Sequence, residues 1–258
     1  MKLEKISERI FFSTIKMNLE TKEDTNVVAT GFFVSKSINK NEFVICLVAS
    51  KELIENSISA SLVFHEAVDQ VSLAVNEKEK IHIRIGKNDW KDMWFSSDKT
   101  NDFVIAPIMP IINFIESQLD KVCFFQPIDL TSISNDEQLK DISLSEDILF
   151  LTYPNEIIQE DEYMPVLGRA KSATALFKNF NNKPEFLIQS PDTSNTSGSP
   201  VFILNEGSFI TKSGQVFGNR FLFLGIMNGS ISNGLARVIK ANLLNSVVDE
   251  FIESLSKY

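Results

Sequence analysis

Short apolar or alternating runs recur along the chain, each bounded by Asn, Asp, Ser, Gly and Lys clusters, at 10–17, 27–34, 42–49, 59–65, 80–85 and 103–108. A second series follows at 122–125, 147–152, 165–174, 186–189, 199–204 and 221–227. Successive side chains of a strand point to opposite faces, so runs of this length and rhythm predict many antiparallel strands. In Ile81-His82-Ile83-Arg84-Ile85, for example, His82 and Arg84 fall on the face opposite three isoleucines. Two stretches break the rhythm. Ile111, Ile112, Phe114, Ile115 and Leu119 repeat at helical spacing, and 236–256 keeps the same period over a longer span.

The two strand series lie on either side of residues 109–120 with no Pro/Gly/Ser linker between them. The pattern therefore predicts two β-units, 1–112 and 113–258, packed against each other as one domain. Glycine is scarce for an all-β chain, 10 residues in 258, so Asn and Asp must supply many turns.

At 43% hydrophobic residues the chain can bury a substantial core. Its 34 acidic against 25 basic residues, a net charge of −9, would repel a phosphate backbone, so neither nucleic acid nor an anionic membrane is an expected partner. Glu4 and Glu8 sit where a secretion signal would be apolar, and no stretch reaches the length of a membrane span, so the expected location is cytoplasmic. Cys46 and Cys123 stand in apolar runs and read as core residues, with no disulfide, metal or other cofactor implied.

The candidate chemistry centres on residues 194–202, Ser-Asn-Thr-Ser-Gly-Ser-Pro-Val-Phe, set between the strand-like Phe186-Leu187-Ile188 and Val201-Phe202-Ile203-Leu204. Alone, this is either a polar turn or a loop presenting a nucleophile. A serine hydroxyl attacks only when a base takes its proton, an acid orients that base and backbone amides hold the oxyanion. Asp102 opens the run Phe103-Val104-Ile105-Ala106-Pro107, which alone reads as a strand-initiating turn. Upstream, Gly31-Phe32-Phe33-Val34 is followed by Phe43-Val44-Ile45-Cys46-Leu47-Val48-Ala49-Ser50-Lys51-Glu52.

In this order the three segments resemble the trypsin-like (chymotrypsin-fold) serine peptidases, and in particular their bacterial cytoplasmic branch. The loop is similar to the family's Gly-x-Ser-Gly-[Ser/Gly]-Pro-[Val/Ile], departing from it at Asn195. The segment Leu144–Pro154, then Met164-Pro165-Val166-Leu167-Gly168, Phe223-Leu224-Gly225-Ile226-Met227-Asn228-Gly229-Ser230 and Gly234-Leu235-Ala236-Arg237-Val238 resemble later strands of that fold, so the likeness spans about residues 25–255. It implies an all-β fold of two packed antiparallel six-stranded β-barrels with a C-terminal α-helix over the second, and no propeptide.

The resemblance also assigns roles. Ser197 falls at the nucleophile, Asp102 at the acid, the Asn195 and Ser197 amides at the oxyanion hole, and Asn228, Gly229 and Ser230 on the strand that pairs with substrate. Glu52 stands where the family has its histidine. A carboxylate is a far weaker base than imidazole, and two carboxylates at one site repel. Loss of the base costs on the order of a millionfold in turnover. His65 and His82 both read as strand residues of the first barrel, and Lys51 as a base would need desolvation that the sequence does not suggest. The expected function is that of a pseudoprotease binding a protein or peptide. An active serine endopeptidase with a non-standard base, or a structural subunit of a larger assembly, are the other readings; oligomeric state is not specified.

Overall fold

The computed structural model describes residues 3–40, 42–69, 74–143, 146–154, 164–191, 195–232 and 234–255. Residues 144–145 of the Leu144–Pro154 segment, residue 194 of the serine loop and residue 256 of the expected terminal helix lie outside them.

The first half runs α1 (Ile6–Arg9), β1 (Thr14–Thr21), β2 (Asn26–Ser37), β3 (Phe43–Ser50), α2 (Lys51–Glu55), β4 (Ser57–Ala67), β5 (Val75–Ile85), α3 (Lys87–Asp92), β6 (Phe103–Pro107), α4 (Met109–Leu119), β7 (Cys123–Phe124) and β8 (Ile128–Asp129). Its strands form an eight-stranded sheet ordered β5-β4-β1-β2-β3-β6, with β7 on β4 and β8 on β2. The expected division at 112/113 thus falls inside α4, and two strands beyond it join the first sheet.

The second half runs α5 (Asp136–Asp141), β9 (Asp147–Thr152), β10 (Val166–Ser172), β11 (Glu185–Gln189), β12 (Pro200–Asn205), β13 (Ser208–Thr211), β14 (Gly214–Phe217), β15 (Arg220–Ser232), β16 (Leu235–Lys240) and α6 (Ala241–Leu255). Six of these strands close into a barrel, β10-β11-β16-β15-β12-β9, while β13 and β14 form a separate two-stranded ribbon.

Of the two barrels expected, then, one is closed. The first sheet stays open between β5 and β6 among the described residues. The reason lies in the β5–β6 connection: the chain from β5 to β6 inserts α3, and Phe95 then occupies the free edge of β6. Its N–H donates to the Ile105 carbonyl at 2.7 Å, and the Ile105 N–H returns a bond to Phe95 at 3.2 Å. An edge already hydrogen-bonded this way cannot pair with another strand.

Burial follows the sequence pattern. On β5, Ile81, Ile83 and Ile85 are buried while His82 and Arg84 are exposed. The uninterrupted apolar runs of β2 and β3 are buried on both faces, as continuous rather than alternating runs require. Phe33, Leu47 and Ala49 face the core of the first half. Phe32, Val34, Cys46 and Val48 face a second core that also holds Leu149, Leu151, Phe202, Phe223 and Ile239 of the barrel. Phe32 meets Phe223 across it at a centroid distance of 5.8 Å. Cys46 and Cys123 are both free thiols, and burial pushes each up to about 12.

The helical period beginning at 236 is overridden for its first turn, because 235–240 pairs with both β11 and β15. From Ala241 the helix forms and buries Leu244, Val247, Val248 and Phe251, an i, i+3, i+4, i+7 stripe. This helix covers more than the barrel. Phe251 packs on Phe95 at 5.4 Å, Asp249 pairs with Lys36 at 2.5 Å and Glu250 with Lys99 at 3.3 Å, so α6 clasps both halves. Among the described residues no helix is long and apolar enough to cross a membrane.

Candidate functional site

The serine loop enters β12 through Pro200, a residue that can begin a strand because the missing N–H is not needed there. Before it the chain turns tightly, with the Ser199 N–H donating to the Thr196 carbonyl at 3.1 Å. Asn195 (φ 54°) and Gly198 (φ 88°) both take the left-handed conformation. Asparagine tolerates that region better than most residues, which explains how it serves where the resembled family has glycine. The loop is tied to β15 on one side: Gly198 N–H donates to the Met227 carbonyl and Met227 N–H to the Ser199 carbonyl, both at 2.9 Å.

On the other side the loop abuts the first half. A Cβ on Gly198 would lie 2.7 Å from the Thr30 carbonyl oxygen and 3.2 Å from the Ser50 nitrogen, so β2 and the end of β3 press directly on it. Thr30 Oγ1 accepts from the Tyr153 N–H at 2.9 Å and lies 3.4 Å from Thr152 Oγ1, whose hydroxyl donates to the Asn195 carbonyl at 3.4 Å. Burial pushes the Tyr153 phenol well above its ordinary range, against an opposing effect of its hydrogen bond with Thr14. The loop therefore sits at the seam between the halves.

Ser197 is half-buried, and a Cβ on Gly229 would lie 3.7 Å from its Oγ. Among the described residues the hydroxyl makes no hydrogen bond, and the Asn195 and Ser197 amides donate none. Asp102 is half-buried at the start of β6. Its N–H donates to Thr100 Oγ1 at 3.1 Å, Thr100 Oγ1 lies 3.4 Å from Oδ2, and its carbonyl accepts from the Lys51 N–H at 3.1 Å. The remaining carboxylate oxygen, Oδ1, accepts from Asn228 Nδ2 at 2.7 Å. The Asn228-Gly229 pair is thus in contact with Asp102 through one residue and close to Ser197 through the other, although Asp102 and Asn228 lie 126 positions apart.

Glu52 occupies the first turn of α2, exposed, with its carbonyl accepting from the Asn56 N–H at 3.1 Å. Its carboxylate makes no hydrogen bond or ion pair among the described residues. Lys51 Nζ turns to Asn101 Oδ1 at 3.3 Å and stands 3.9 Å from Glu55. Neither histidine bonds to Ser197 among the described residues: His65 is buried on β4 against the Phe12 ring at 4.9 Å, and His82 lies on the outer face of β5. Ser230 is exposed beside half-buried Asn228 and Gly229.

The contact that sequence reasoning missed is the Asn228 amide on Asp102, because Asn228 was expected on the substrate side. No local pattern could have signalled it. The Thr100 contribution was legible, since a hydroxyl residue two places before Asp102 is an ordinary side-chain-to-backbone turn.

No family model matches this sequence, and no curated protein matches it. Among solved structures the chain is similar to the scabies mite inactivated protease paralogue S-I1, with a TM-score of 0.52 and 10% identity over 95% of this chain and 96% of that one. The likeness to an inactive form of the Rv3671c protease of M. tuberculosis has a TM-score of 0.46 at 12% identity, over 93% of this chain and 88% of that one. The former shows the fold, which is that of trypsin-like serine proteases.

Proposed function

We propose that this protein is a pseudoprotease, a trypsin-fold scaffold that binds a protein or peptide strand at the seam without hydrolysing it. The observation that carries this reading is the bond from Asn228 Nδ2 to Asp102 Oδ1 at 2.7 Å. In a working triad that carboxylate orients an imidazole. Here it is met by a carboxamide, which cannot accept the serine proton. Glu52, at the position where the resembled family keeps its base, has an exposed carboxylate on α2.

Binding has separate support. Pairing of β15 with β12 ends at Ile226, and its register with β16 slips between Met227 and Ser230. Residues 228–232 therefore have an edge without a β12 partner among the described residues, beside Ser197. An open edge of this kind takes up an extended peptide as an added strand. The two free thiols, Cys46 and Cys123, fit a reducing compartment such as a bacterial cytoplasm.

A fluorophosphonate probe tests the reading. The chain is expected to label no more than its Ser197→Ala variant, since removing the base from such a site costs on the order of a millionfold. Efficient labelling abolished by Ser197→Ala would overturn it. Labelling gained by Glu52→His would support loss of the base as the cause.

A further inference from the structure

A second concavity, of about 490 Å³, opens on the first half. Its lining includes residues of α3 together with Trp94 and Ser96, from the same insertion that separates β5 from β6. The walls are apolar and aromatic. Ile54 of α2 and Val104 of β6 contribute aliphatic surface, and Trp90 and Trp94 stand edge to face with centroids 5.1 Å apart. Trp90 is fixed by its Nε1, which donates to Ser57 Oγ at 2.9 Å, so this wall is formed before any ligand arrives.

The rim has a definite sign. Lys22, Lys87 and Lys91 line the cavity, all three exposed and none in an ion pair among the described residues. Glu55 is the one carboxylate among the described lining residues, and it lies 3.9 Å from Lys51. In a chain of net charge −9, a cavity bordered by three unpaired ammonium groups opposes the sign of the whole molecule. An apolar aromatic chamber of this size lined by three exposed lysines selects a ligand that is apolar at one end and anionic at the other. A neutral apolar compound would leave the lysines unused, and a fully polar anion would leave the exposed part of Trp94 uncovered.

We infer that this cavity is a binding site for a small organic acid with a flat apolar body, an aryl carboxylate whose ring lies against Trp94, backed by the buried Trp90, and whose carboxylate faces Lys22, Lys87 and Lys91. The site does not depend on what the serine cleft does.

The chain has two tryptophans, and both line this cavity, so their indole N–H resonances report it directly. The test titrates the ¹⁵N-labelled full chain at low salt with 2-naphthoate and, separately, with its neutral counterpart 2-naphthamide, with calorimetry supplying the affinities. Both indole signals are expected to shift saturably with the acid, which should bind about tenfold more tightly than the amide given three exposed charge contacts. The Lys22→Ala/Lys87→Ala/Lys91→Ala variant, folded by its unchanged thermal midpoint, should bind the acid no better than the amide. Absence of a saturable shift, equal affinity for acid and amide, or undiminished acid binding by the triple variant each overturns the proposal. Were the triple variant to unfold, the acid-to-amide ratio on the unaltered chain decides.

Discussion

Replacing Gly198 by alanine measures how tightly the serine loop is held against the first half. Two costs add. At φ 88° an L-residue is strained by roughly 1–2 kcal/mol. The new methyl would also stand 2.7 Å from the Thr30 carbonyl oxygen and 3.2 Å from the Ser50 nitrogen. Both are backbone atoms in packed elements and cannot swing aside, so overpacking adds about 1–3 kcal/mol. The sum, roughly 2–5 kcal/mol, corresponds to a fall in thermal midpoint of about 5–15 °C for a chain of this size. A matched control separates the terms: Gly207 has φ 89° and nothing within 4 Å of its would-be Cβ, so Gly207→Ala carries the conformational cost alone. Thermal unfolding followed by circular dichroism should place Gly198→Ala at least about 1 kcal/mol below Gly207→Ala. Equal losses in the two variants would refute the close approach of β2 and β3 to the loop.

Two further outcomes are expected. Phe251→Ala removes a ring that touches Phe95 of the first half from a helix seated on the barrel, and should cost about 3–5 kcal/mol in urea unfolding; a loss below about 1 kcal/mol would mean α6 does not join the halves. Burial raises the folded-state pKa of Tyr153 above its unfolded value, so its contribution to stability is whole below the unfolded pKa of about 10 and is lost as pH rises beyond it. The native chain should therefore lose stability above about pH 10 more steeply than Tyr153→Phe, measured by urea unfolding at pH 8 and pH 11; parallel losses would contradict a buried, protonated Tyr153.

What the sequence determined on its own is what depends on neighbours along the chain. Side-chain alternation on β5, the double-faced burial of Phe32, Phe33 and Val34, and the strand entered at Pro200 all follow from the period of a pleated backbone and the conformational limits of single residues. The string around Ser197 was equally legible as a turn between strands, whereas the left-handed conformation of Asn195 emerged only from the structure. The tertiary structure decided whatever depends on which edges and faces remain free once the chain has folded back. Phe95 closing the edge of β6, and so holding the first sheet open, is a choice between two competing strands that no local pattern encodes. The helical period at 236 yielded to β16 because β11 and β15 offered a ladder on both sides. The amide of Asn228 reached Asp102, and three lysines came to line one cavity with two tryptophans, because distant segments converge only in the packed molecule. Local sterics set the elements; the competition among long-range pairings set what those elements bring together.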